Sequence, residues 1–151
     1  MRQILMLPAV GSLAIAAFLA LAPASYAETV TFKANLSAAD EVPPNPSTGT
    51  GSVTATYDTA TKTLSWDGTF SGLTGPVAAA HIHGPAPAGK NAGVVFWISD
   101  HNTKDHPFTS PFKGSATLDD KQADDLMAGQ YYVNLHTAAH PGGEVRGQLV
   151  K

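Results

Sequence analysis

The residues best equipped for chemistry in this sequence are its histidines. Six occur in 151 residues, and four of them fall in two tight clusters, "HIHGPAP" from His81 and "HTAAHPGGEVRG" from His136. In an extended strand, side chains at i and i+2 share a face with Cα atoms roughly 6.6 Å apart, so His81 and His83 project side by side. His136 ends "YYVNLHT", in which Tyr132, Asn134 and His136 share one face. Where that strand pairs with the H-x-H strand or lies across from it, a third imidazole joins the first two. His140 follows four residues later, before "PGGE", in a turn that can fold it back over the same spot. Three or four imidazoles suit copper or zinc, and the affinity order of the divalent ions favours copper. The expected metal ligands are therefore His81, His83, His136 and His140, with Cu(II) in tetragonal nitrogen coordination as the leading assignment and zinc as the alternative.

A single strand histidine is more often hydrogen-bonded at a surface than bound to metal. The two clusters taken together weigh against that simpler reading, because both close a β-run and both abut Gly and Pro turns. His101 and His106, in "SDHNTKDHPFTS", lie in a polar stretch with charged neighbours and are expected to be solvated. Asp100 and Asp105 could accept hydrogen bonds from metal-ligating rings, but nothing in the spacing requires it.

The first residues bear on where this chemistry would take place. "MRQILMLPAVGSLAIAAFLALAPASYA" places Arg2 before an apolar run and ends on small residues, the pattern of a secretory signal peptide over residues 1–27 with cleavage after Ala27. Periplasmic or secreted localisation is the expectation. Residues 28–151 then form one domain. Without Arg2, eight lysines and arginines face twelve aspartates and glutamates, a net charge of −4 with neutral histidines. No basic patch is visible, which argues against nucleic acid and anionic membranes as partners. There is no cysteine. Thiolate chemistry and cysteine-held metals are excluded, and any metal site must use imidazole and oxygen.

The elements that position these residues read as strands. "TVTFKANL" puts Val30, Phe32, Ala34 and Leu36 on one face; "GSVTATYD" does the same with Val53, Ala55 and Tyr57, and "KTLSWDGTF" with Leu64, Trp66 and Phe70. "VAAAHIHG", "GVVFWISD", "PFKGSATL", "QYYVNLHT" and "GEVRGQLV" complete about eight strands separated by Gly, Pro, Asn and Asp clusters. The pattern predicts an all-β antiparallel sandwich or barrel. "SAADEVPPNPSTGT" is barred from a central strand by its prolines and is expected as a surface loop. "LDDKQADDLMAG" is the one helical stretch, with acidic residues in its first turn, Leu118, Leu126 and Met127 facing the core, and Gly129 at the C-terminal cap.

Arg146 is the sole arginine after residue 2. A salt bridge to Glu144 or to a carboxylate of "DEVPP" is expected, ahead of a role in guiding anions. Trp66 and Trp97 alternate with apolar neighbours and are expected in the core.

"LSAADEVPPNPSTGTGSVTATYD", "AAAHIHGPAPAGKNAGVV" and "LMAGQYYVNLHTAAHPGGEVRGQL", in this order, resemble the CHRD domain, first described in chordin and found in bacteria as a single exported domain. The resemblance spans about residues 36–150 and implies a Greek-key, immunoglobulin-like antiparallel β-sandwich. It implies little about activity. A weaker similarity is to copper/zinc superoxide dismutase, in which an H-x-H strand and a later strand histidine ligate copper, positions matched here by His81, His83 and His136. The cysteine pair and the long zinc loop of that enzyme have no counterpart, so the likeness implies a copper site rather than dismutase activity.

Three functions compete on these grounds. The first is an exported copper-binding protein that sequesters, transports or delivers the ion, with a possible protein partner in delivery. The second is a metal-free extracellular interaction module using the proline-rich loop or a sheet edge. The third is a dismutase-like redox enzyme in which Arg146 attracts the anion.

Overall fold

The structure is a computed structural model and describes residues 27–151. The expected leader, residues 1–27, lies outside the described residues except for Ala27. Eight strands and one helix follow in the order β1 (Thr29–Ser37), β2 (Thr50–Asp58), β3 (Thr63–Ser71), β4 (Val77–His83), β5 (Val94–Trp97), β6 (Phe112–Thr117), α1 (Asp120–Met127), β7 (Tyr132–Thr137) and β8 (Val145–Gln148). All strand pairs are antiparallel, in one sheet of order β5-β4-β7-β8-β1-β2-β3-β6. The sheet folds over on itself in the manner of a sandwich and nearly closes. Phe108, ahead of β6, bridges to Val77 of β4 and stacks on Phe70 with centroids 5.9 Å apart.

The period-2 pattern sets the register. Phe32 stands opposite Ala55 and Ala55 opposite Trp66, so the apolar faces of β1, β2 and β3 superpose and turn inward. A one-residue slip would put that whole set in water. Ala80 and Ile82 of β4, Val133 and Leu135 of β7, and Val145 of β8 supply the opposing wall. Where β8 meets β1 the seam is short, with Ser37 opposite Arg146 and an isolated bridge between Lys33 and Val150. Gly147 lets the two backbones approach, since a Cβ there would lie 2.3 Å from the Asn35 carbonyl oxygen.

The helix forms where the sequence places it. Asp119 accepts from the Gln122 N–H at 2.8 Å and Gln122 Oε1 accepts from the Asp119 N–H at 2.9 Å, a closed capping box that contributes about 1 kcal/mol. Leu126 is fully buried, a burial that stabilises by about 2 kcal/mol. Gly129, at φ +70°, turns the chain out of the helix toward Tyr131.

β4, β7 and β8 are buried on both faces. Their inner face is apolar, while their outer face carries His81, His83, Tyr132, Asn134, His136 and Arg146. Loops cover this polar face in place of a second sheet. The 38–47 loop is tied down by Asn45, which donates to the Glu144 carbonyl at 3.0 Å, and the 84–93 loop by Gln148, which donates to the Ala86 carbonyl at 2.9 Å. Among the described residues, no helix is long and apolar enough to cross a membrane.

Candidate metal centre

His81 and His83 stand side by side on β4, as the strand period requires. Antiparallel pairing sets Ala79 opposite His136 and His81 opposite Asn134, which brings the His136 ring up to the H-x-H pair from the next strand. One nitrogen from each of His81, His83 and His136 lies within 4.8 Å of the other two. Such a group could hold a metal ion.

Two of the rings are pinned by backbone. His83 Nδ1 lies 3.0 Å from the Ala92 carbonyl oxygen and His136 Nδ1 lies 3.0 Å from that of Pro141. A carbonyl only accepts, so both Nδ1 atoms carry the proton and both Nε2 atoms are unprotonated. Donation of the remote ring N–H to a carbonyl is how metal-ligating histidines are commonly oriented. His81 Nδ1 sits 3.1 Å from His136 Nε2, and in the neutral pair it donates to that lone pair. His81 Nε2 and His83 Nε2 are buried with no hydrogen-bond partner. Burying such atoms is costly unless something else satisfies them, and an ion at the centre of the group would do so.

The electrostatics keep the rings neutral. Burial, then repulsion from His136, His83 and His101, lowers the His81 pKa to about 4. Burial also lowers His83 and His136, against the raising effect of their carbonyl partners. Neutral imidazole is the form that ligates.

Around the rings the packing is aromatic. Tyr132 stacks on His83, the Arg146 guanidinium lies 3.4 Å from the Tyr132 ring centre, and Trp97 meets His81 edge to face at 4.2 Å. Below this layer Glu41 is buried, with its Oε2 3.4 Å from Asn134 Nδ2. Burial, outweighing the nearby charge of Arg146, raises the Glu41 pKa to about 7. Gly143, at φ +132°, leaves room there, since a Cβ would lie 2.6 Å from Glu41 Oε1.

Several expectations change. His140 stands outside the group. Its backbone closes the turn through the Thr137 carbonyl, and the residue lines a depression with Val42, Pro43 and Asn45. Arg146 forms no ion pair with Glu144. It donates to Asn91 Oδ1 at 2.9 Å and to the Lys90 carbonyl, because the 84–93 loop folds over it. Glu144 instead accepts from Ser47, Thr74 and Thr137. Trp66 is buried as expected, but Trp97 is 42% exposed, because β5 is an edge strand of four residues. Asp100 holds His106 at 2.8 Å and not a ring of the cluster. His101, expected in solvent, is exposed but rests on Trp97 at 3.8 Å. The Ala92 and Pro141 carbonyls leave no mark in a sequence. The Tyr132 stack had a weak one, in that Tyr132 and His83 are strand neighbours of the kind that pair across a sheet.

A carbonyl-pinned imidazole group on a loop-covered β-sheet describes a class of small β-domain with a built candidate metal centre. The CHRD domain family matches this chain over residues 32–149, and the chain belongs to that family. No curated protein and no solved structure matches it.

Proposed function

We propose that the protein is an exported copper-binding protein of the periplasm or extracellular space that holds a copper ion through His81, His83 and His136 for sequestration, transport or delivery. The observation that carries this reading is the pair of backbone pins. Ala92 and Pro141 hold the Nδ1 protons of His83 and His136, which leaves both Nε2 atoms unprotonated, and one nitrogen of each ring lies within 4.8 Å of a His81 nitrogen. An all-imidazole set without thiolate suits copper ahead of zinc among the divalent ions. The leader pattern of residues 1–27 supports export. Titration with Cu(II) followed by electron paramagnetic resonance tests it. Nitrogen hyperfine structure in the native protein, lost in His81→Ala, is the expected result, and a spectrum without nitrogen coupling or indifferent to His81→Ala defeats the reading.

One observation favours a second reading, a metal-free interaction module: β5 is a sheet edge with Val94 and Trp97 exposed. Protein purified without metal, and unchanged partner capture after both His81 and His83 become Gln, would favour it. The dismutase alternative gains nothing from Arg146, which is 2% exposed and held under the 84–93 loop.

A further inference from the structure

The three imidazoles leave open what completes the coordination of an ion at this centre. The surroundings of each ring narrow the choice. His83 is held by the Ala92 carbonyl at Nδ1 and by Tyr132 across its face, His136 by the Pro141 carbonyl, while His81 meets Trp97 edge to face. The His101 ring also packs on Trp97, so that the indole contacts two imidazoles, with ring centroids 4.2 Å from His81 and 3.8 Å from His101. This placement is built in. Ile98 and Ser99 both donate to the Ala80 carbonyl, and Ser99 Oγ accepts from the Ala80 N–H, which moors the end of β5 beside His81. The turn that follows is tied to β4 by Thr103, which donates to the Ala78 carbonyl at 2.8 Å. Asp100, Asn102, Thr103, Asp105 and His106 all hold the turn through their side chains. The His101 imidazole takes no part in that network. It is also one of the three imidazoles whose charge weighs on His81.

We propose that His101 is the fourth imidazole of the metal centre, joining His81, His83 and His136 when the half-exposed Trp97, which contacts both His101 and His81, swings aside. The inference rests on the copper reading and deepens it. It replaces His140 as the fourth ligand and makes Trp97 the removable cover of the site. A ligand on an exposed turn would be the first to meet an arriving ion and the first to release it, which suits a protein that passes copper on.

The test uses the purified protein with one equivalent of Cu(II), comparing the number of coupled nitrogens by electron paramagnetic resonance and the affinity by competition. The wild type and Trp97→Ala should each show four imidazole nitrogens. His101→Ala should show three and bind more weakly, by at least the roughly tenfold that loss of a ligand-orienting partner costs. His101 is exposed, so this variant keeps the fold. A His101→Ala protein with wild-type spectrum and affinity, beside a His81→Ala protein that loses copper, overturns the proposal and leaves the three-histidine centre standing. Loss of the fourth nitrogen in His140→Ala instead also overturns it. A His81→Ala protein that still binds normally defeats the centre itself.

Discussion

His83 and Tyr132 stack face to face, with ring centroids 5.0 Å apart and planes within 5° of parallel. The Tyr132 hydroxyl also accepts from the Ala92 N–H at 3.0 Å, and the Ala92 carbonyl is the group that pins His83. Tyr132 therefore holds the imidazole and its pin together. Tyr132→Leu should weaken Cu(II) binding by about 10–100-fold with all three histidines intact, and Tyr132→Phe by less. Competition titration with a chelator of known affinity measures both, and wild-type affinity in Tyr132→Leu would refute the positioning role.

Protons should compete poorly with the metal. Burial, and then the charges of neighbouring imidazoles, hold His81 at about 4, well below the ordinary histidine value. Copper affinity should begin to fall only below the ordinary histidine value, since burial lowers all three rings, and the His81 ring should resist protonation until pH nears about 4. A midpoint at the free-imidazole value of about 6.5, read by competition titration across pH, would contradict this.

Glu41 should make the protein less stable as pH rises. Burial raises its pKa from 4.5 to about 7, against the opposing pull of Arg146 and Asn134. Between those two values the folded state retains a proton that the unfolded state has lost, so stability falls as pH rises through this window. Glu41→Gln should then unfold at higher urea concentration than wild type at pH 8, by up to about 3 kcal/mol, with the difference vanishing near pH 4.

Glu144 carries the opposite sign. Burial raises its pKa, but hydrogen bonds from Ser47, Thr137 and Thr74 outweigh it and bring the value to about 2. Its stabilisation is complete above the unfolded value of 4.5 and is lost as pH falls toward 2. Glu144→Gln should cost on the order of 3 kcal/mol at pH 7 and flatten the acid limb of the stability curve, measured by urea unfolding at pH 3 and pH 7.

Arg146 contributes through its surroundings and not through an ion pair. Arg146→Ala removes a buried cation over Tyr132 and two hydrogen bonds into the 84–93 loop. A loss of about 3 kcal/mol in urea unfolding is expected, together with weaker copper binding, because Tyr132 loses its backing.

The strand faces were legible because alternation is a local property: Phe32, Ala34 and Leu36 announce their face without help from the rest of the chain. So were the H-x-H pair and the reach of His136, since both sit on strands whose side-chain directions follow from the backbone. His140 was not, because "AAHPGG" is a turn and the direction of a turn residue depends on hydrogen bonds such as those of Thr137. Trp97 misled for a related reason. The "GVVFWISD" composition marks a strand, but whether a strand is central or at an edge is a fact of topology, and the sheet order puts β5 outermost. Arg146 met a loop carbonyl and an amide where carboxylates had been expected, and contacts between distant loops carry no sequence period.

The two pins of the histidine cluster are main-chain carbonyls, those of Ala92 and Pro141. A main-chain oxygen survives nearly any amino-acid replacement at its own position. Apart from the crowded Gly84 and Gly143, drift in the composition of the 84–93 and 138–143 loops should therefore leave His83 and His136 aimed as they are, whereas inserting or deleting one residue would carry the oxygen away from its ring. Through these loops, selection on the centre acts on length more than on spelling.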